Sequence, residues 1–543
     1  MNPLVKKMNV ENSFVQFVFD NTDHNVKTLD GKETCHCLGG IASYTPEWSI
    51  SYEGIPVKLK KMPTTQSLVS KHVIPEVPYG TFNGKALESI KFVSTDQLCL
   101  GKALLLPVSY SAYLWTKFFG ISQIPTWKGF MEVLSTVVPY SMSEIVCLPF
   151  INRPPSNLTT ISTSLHYAAR ETRMSNRKTC FVTYDQPLYA KALAIVQERQ
   201  SEELKNVVVR LGGFHILISF LGSIGYIMAG SGIEDLWALV EMCKTFEKHI
   251  ETLEKNGPTS KLWIQYFKSI IIALQFIEAE RLGNWQLHLQ SVKNMLPYFH
   301  AAGHYQYAKY GQIYLQSMAN LELIMDPVEY DEFTKEGYFT IRRSDKAWAG
   351  VWSDMSIETT LNRFFGTDLT HGRGVDPSVV TRYLIAMPSA LKIMECLENY
   401  CDVVSSNSEQ HVDLFKNRMT KDDKGIRSFL FWLQERKPFE NRTSLLSLST
   451  GIIGGPTTNC HMAVEMGLKG MTTMIDKDAD KVPFSKVFKV KTLAAAKDGM
   501  HIGDDFVSVD TFLLIQRISA FFHGNEKLTR KALSFVTVSY KFI

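Results

Sequence analysis

Long hydrophobic runs, paired cysteines and a strong net charge are all missing from this chain, and each absence removes a class of protein. The best membrane candidate, Phe214 to Gly230, carries no charge, opens beside His215 and falls short of the roughly 20 residues that a spanning helix needs. It reads as a buried helix of a large core, so no membrane partner is expected. The nine cysteines are odd in number and have no paired spacing, and Met1 to Lys7 lacks the apolar core of a signal peptide. An intracellular, reducing compartment with free thiols is the expectation. Cys35-His36-Cys37 has no second pair to complete a tetrahedral metal site. Asn157-Leu158-Thr159 and Asn441-Arg442-Thr443 match the glycosylation pattern by chance on this reading. A net charge of +4 is small for 543 residues. Lys58-Leu59-Lys60-Lys61 and Ile341-Arg342-Arg343, taken alone, read as solvated faces. No phosphate-binding GxxxxGK[ST] loop and no dinucleotide fingerprint stands between a strand and a helix, which disfavours nucleotide hydrolysis. No repeat period is evident.

What is present is an ordinary globular composition, 45% hydrophobic and 21% charged, with length for about three domains. Phe14 to Phe19 reads as a strand, followed by a polar turn at Asn21 to Asn25 and a hairpin signal at Asp30-Gly31. His36 to Ile41 and Trp48 to Tyr52 are further strand candidates. Helical patterns dominate from Pro107 to Arg177, and Ser156 or Asn157 is placed to cap a helix through Leu165. Thr179 to Tyr184, Leu188 to Arg199 and Asn206 to Leu211 form a strand-helix-strand unit with the spacing of a parallel crossover. Helical periodicity then runs from Leu217 to about Asp326, with Gly257 and Gly283 as punctuation, and a second helical block spans Pro388 to Phe439. The pattern is an α/β core interrupted by helices.

Three acidic residues carry the chemical reading. Asp20 and Asp185 each end an apolar run, and Glu358 sits in the first turns of a helix read from Asp354 to Leu361. Carboxylates at strand ends are aimed by a fixed backbone. Two of them with a third from a helix are hard oxygen donors suited to Mg2+ or Mn2+. Each aspartate alone also fits a turn or a cap, and Asp185 before Gln186-Pro187 is placed to cap the Leu188 helix. His215, after Gly212-Gly213, could touch a phosphate or the carboxylates, or open a buried helix. Arg342, Arg343 and Trp348, with Arg363, His371 and Arg373 beyond, would suit a DNA backbone passing the site; a surface-to-core transition explains the same residues.

Three blocks resemble RNase H-like proteins related to cut-and-paste transposases, the transposon-derived family of animal genomes that includes Mutator-like and hAT-like groups. They are Phe17 to Ile41, the stretch from Val182 to Gly222, and Ile341 to Gly366. The resemblance implies an α/β fold, an RNase H-like mixed sheet core interrupted by large all-helical insertions. It implies a metal-binding catalytic triad of Asp20, Asp185 and Glu358, with Asp23 in reserve for Asp20, and His215 as the histidine after the second aspartate. The implied cofactors are two Mg2+ or Mn2+ ions, and the implied activity is DNA cleavage and strand transfer in the nucleus. A separate DNA-binding module or protein is expected to supply targeting, since the chain starts almost at its first strand. The alternative is a catalytically inactive, domesticated copy that serves as an interaction or DNA-binding scaffold. The implied division is core strands at 1–60, a mainly helical insertion at 61–178, the second core part at 179–216 and a helical insertion at 217–341. The acidic helix follows at 342–375, and a helical, irregular region at 376–543.

Overall fold

A computed structural model describes residues 7–25, 34–53, 74–80, 90–98, 106–118, 124–135, 140–198, 203–228, 255–344, 347–362, 416–448 and 463–476, with a few isolated positions between. The centre is a five-stranded mixed sheet. Its strands are β1 (Phe14–Asn25), β2 (Thr34–Thr45), β3 (Glu144–Cys147), β4 (Cys180–Tyr184) and β5 (Val207–Leu211). They lie in the order β3-β2-β1-β4-β5. β1 and β2 form a long antiparallel hairpin from Phe14↔Thr45 to Asn25↔Thr34, and β3 adds antiparallel to β2. On its other edge β1 runs parallel to β4, and β4 parallel to β5. The first half of β1 (Phe14 to Phe19), β4 and β5 are near-continuous apolar runs because both faces of the sheet are covered there.

One face is covered by α3 (Leu158–Met174) and α4 (Gln186–Glu198). There Phe19 stacks on Tyr184 at 6.0 Å between ring centroids, and the Tyr184 hydroxyl lies 2.7 Å from Ser164 Oγ. Asn157 caps α3 by accepting from Thr159 N, as its position suggests. The opposite face receives Phe333, stacked on Phe181 at 4.3 Å and 5° from parallel. It also receives α10 (Ser353–Ile357), which continues as a π-helical turn over Glu358–Asn362. Val18 packs there with Ile357 and Leu361, and Ser353 Oγ donates to Thr183 Oγ1 at 3.2 Å.

The strand-helix-strand unit is found where its pattern predicts it, and its strands are parallel. Phe214 to Gly230 is also largely as expected, forming the buried helix α5 (Gly213–Met228). Three long helices follow, α6 (Pro258–Leu282), α7 (Trp285–Ala302) and α8 (Tyr305–Ala319). Gly257 precedes Pro258 at the start of α6, and Gly283 ends it in the left-handed conformation at φ 72°. α6 is long and apolar enough to cross a membrane, yet 72% of its most apolar window is buried inside the protein.

Two readings change. The stretch 61–178 is not only a helical insertion, because it supplies the edge strand β3 and the sheet-packing helix α3. β3 is only four residues long, too short for a period to show. Asn21 to Asn25 is not a turn: β1 runs on through Asn21↔Leu38 and Thr22↔Cys37, held by the hairpin ladder rather than by apolar side chains.

Candidate functional site

The parallel register sets the two aspartates side by side. β1 and β4 pair from Gln16↔Phe181 to Val18↔Thr183. Two residues further, the same register brings Asp20 level with Asp185, on the face that Val18 and Thr183 present to α10. Asp20 is therefore inside β1 rather than at its end, because only its neighbour β4 stops there. Its partner across the hairpin is Gly39. A Cβ at Gly39 would stand 2.6 Å from Thr22 Oγ1 and 2.8 Å from Leu361 Cδ2, so the glycine lets the Glu358 helix come down onto the strand.

Burial pushes the Asp20 carboxyl well above the usual carboxylate range, and the negative charges of Glu358 and then Asp185 push it further. The nearby His215 and the Asn21 amide, which donates to Asp20 Oδ1 at 2.8 Å, oppose that rise. Asp185 is also raised by burial, against His215 and the Leu188 amide. Asp20 thus feels the charge of both Asp185 and Glu358. Among the described residues, no three His, Cys, Asp or Glu side chains are drawn tightly enough together to form a ready coordination sphere. Mutual repulsion is a sufficient reason for like charges to stand apart. As donors they fit a hard divalent cation.

Asp185 does two things. Its Oδ1 accepts from Leu188 N at 3.1 Å, which makes it the cap of α4, while its charge takes part in the cluster.

His215 is held by a residue that the motif reading did not single out. The Asp354 carboxylate is buried and accepts three hydrogen bonds: Phe214 N on Oδ1 at 3.1 Å, and His215 N and Nδ1 on Oδ2, both at 3.0 Å. It caps α5 from a distant part of the chain. Leu211-Gly212-Gly213 offers no side-chain oxygen for that task, and this missing cap is the sequence signal that could have pointed to an outside acceptor. A Cβ at Gly212 would lie 2.4 Å from Asp354 Oδ2, so only glycine leaves the carboxylate its place. Burial alone would depress the His215 imidazole. The hydrogen bond and charge of Asp354, with Asp20 and Asp185 behind them, outweigh it and raise the group to about 10. His215 is therefore an imidazolium at neutral pH, with a side chain 30% exposed and Nε2 left over once Nδ1 serves Asp354.

The expected DNA-contact residues separate. Arg342 is buried, with its guanidinium 3.9 Å from the Tyr140 ring centroid. Trp348 is buried against Trp127 at 5.3 Å. Both belong to the core, which corrects their reading as surface contacts: the segment passes inward, and its aromatic and guanidinium groups fill space under α2 (Trp127–Leu134). Arg343 is exposed. Arg363, His371 and Arg373 lie outside the described residues, as does the side chain of Asp23, the reserve for Asp20.

A family model described as Domain of unknown function (DUF8702) matches residues 126–241 and 238–535. The chain belongs to this family. Asp185, His215, Asp354 and Glu358 all fall inside the matched segments, and Asp20 precedes them. No curated protein and no solved structure matches the chain.

Proposed function

We propose that this chain is an RNase H-like, transposase-derived protein whose acidic cluster cleaves and joins DNA phosphodiesters. The observation that carries the reading is the level placement of Asp20 and Asp185 on adjacent parallel strands, with Glu358 brought to them by a later helix on the same face. The sheet order supports it: an antiparallel hairpin leads into two parallel strands, and the large helical block enters after the second aspartate. Asp20, Asp185 and Glu358 would hold two Mg2+ or Mn2+ ions, which when bound supply Lewis-acid stabilisation of the attacking and leaving oxygens. The chain's own contribution is to aim those carboxylates from rigid strands. His215 adds a fixed positive charge where a phosphate would lie, oriented through Asp354. On this reading the protein works in the nucleus.

A second reading, an inactive scaffold, draws on the capping duty of Asp185, which gives that residue a reason to exist without catalysis. Cleavage of labelled DNA in Mg2+ or Mn2+ separates the two. The catalytic reading expects nicking by the wild type and a loss of at least about 100-fold in Asp185→Asn, since one ligand of a paired-metal site is removed. Equal nicking by both proteins would refute it.

A further inference from the structure

We propose that the outward face of α11 (Lys416–Arg436) is a track for a nucleic-acid backbone. This rests on the DNA-processing reading and names the surface that would hold the substrate. The helix is sorted by charge. Its acidic residues at the middle are used internally: Asp422 pairs with Arg418 at 3.5 Å, and Asp423 accepts from the buried Lys117 at 2.8 Å, which ties the helix to α1 (Val108–Phe118). Ile426 and Phe429 turn inward. The opposite side is exposed at Lys416, Lys421, Lys424 and Arg427. None of these four has an ion-pair partner among the described residues. One turn beyond Arg427, on the same side, stands Phe431 with 62% of its surface in solvent.

A run of charge is usually only a solvated face, and two features set this one apart. First, between Lys416 and Arg427 the exposed arc carries four cations and no acid, so their fields add; the exposed Glu435 stands about two turns further on, paired with Arg436. Lys416 to Arg427 covers about 16 Å of helix at 1.5 Å per residue, the axial length of about five phosphates of one strand at 3.4 Å each. Second, a large aromatic kept in water at the end of a basic stripe is what base stacking uses in single-strand binding. An anionic membrane would instead favour a continuous apolar side facing outward. Here the outward side holds the four cations and one ring among polar residues such as Asn417, Thr420 and Ser428.

The test is fluorescence anisotropy on the full chain with labelled duplex and single-stranded oligonucleotides, in EDTA, across a salt series. The variant carries Lys416→Gln, Lys421→Gln, Lys424→Gln and Arg427→Gln together, and an unchanged thermal midpoint confirms its fold. Four phosphate contacts contribute about 3.6 to the slope of log K against log salt on duplex DNA, or about 2.8 on a single strand. Between 50 and 200 mM salt the wild type should therefore weaken about 100-fold more than the variant on duplex. Phe431→Ala should lose about 5- to 150-fold on the single strand and little on duplex. If wild type and quadruple variant bind with equal slopes, the track is wrong while DNA binding stands. Binding of anionic vesicles but not of oligonucleotides would overturn the proposal in favour of a membrane surface, and binding of neither would overturn it outright. Stripe-dependent DNA binding in a protein that cuts no DNA would uphold the track and defeat the catalytic reading.

Discussion

Replacing Asp354 by asparagine changes almost no volume, yet the hydrogen bonds around it cannot all survive. Three donors converge on this buried carboxylate, from Phe214 N, His215 N and His215 Nδ1. An amide has one oxygen. If it keeps that oxygen toward His215, its NH2 faces the Phe214 amide, donor against donor. A buried N–H left without an acceptor costs about 1–3 kcal/mol, and removing a negative charge from the first turn of a helix costs about 0.3–1 kcal/mol more. The expected loss, about 2 kcal/mol, is local to the start of α5. It is read best by hydrogen exchange, where about 1.4 kcal/mol is a tenfold change in opening. The amides of Phe214 and His215 should exchange about 30-fold faster in Asp354→Asn. His215, whose rise to about 10 comes against burial mainly from Asp354, should titrate well below that value. Gly212→Ala reaches the same state without touching the charge, since its Cβ would meet Asp354 Oδ2 at 2.4 Å. Exchange within threefold of wild type and a His215 still protonated to about 10 would refute the capping argument.

Other outcomes follow from the same contacts. The folded-state affinity of His215 for its proton is raised, so its contribution to stability is complete below the ordinary value of 6.5 and is lost as pH climbs through about 10. Burial of Asp20 acts in the same direction, because a carboxyl raised in the folded state stabilises the fold as it gains its proton. The metal-free protein should therefore melt at a higher temperature at pH 6 than at pH 9, and a flat profile in scanning calorimetry would contradict the cluster. Asp20→Asn should raise the melting temperature of the metal-free protein at neutral pH, while the wild type should gain about 2.7 kcal/mol at 100-fold excess of Mn2+ over its dissociation constant. Glu329→Ala removes the buried carboxylate that accepts from Lys178 N at 2.8 Å and Thr179 N at 2.9 Å, and should cost about 2–4 kcal/mol in chemical unfolding. Gly467→Ala puts a Cβ 1.9 Å from Pro297 O, where α12 (Ala463–Asp476) crosses α7. About 1–3 kcal/mol of overpacking there should release α12 to limited proteolysis without altering the exchange of Phe214.

The parts of this fold that are local in sequence were legible in it. The crossover from Cys180 to Leu211 could be read because both strands are apolar runs bounded by turn residues, and α5 because its uncharged run is too short for a membrane. Asp20 and Asp185 stood out for a local reason too, a single charge closing an apolar run. The rest depends on contacts between distant segments. β3 is recognisable only by its pairing with β2, a hundred residues earlier, and the continuation of β1 past Asp20 is a property of the hairpin. Asp354 looks like one more polar residue at the start of a helix until α5 is placed over it with its amides uncapped. Arg342 and Trp348 misled because composition does not show direction: basic and aromatic residues suit a DNA surface, and they equally suit the cation-π and ring contacts they make with Tyr140 and Trp127. The basic stripe on α11 is diluted in sequence by the acids between its cations, and it emerges only when those acids turn inward.

The central claim is that the acidic cluster is a cation site, and calorimetric titration with Mn2+ tests it most directly. Asp185→Asn is the right comparison because asparagine caps a helix as well as aspartate does, so α4 keeps its start while the cluster loses a charge. The account predicts heat of binding in the wild type and none in the variant at the same concentrations, with the fold of both unchanged. Identical titrations, whether both bind or neither does, would contradict it.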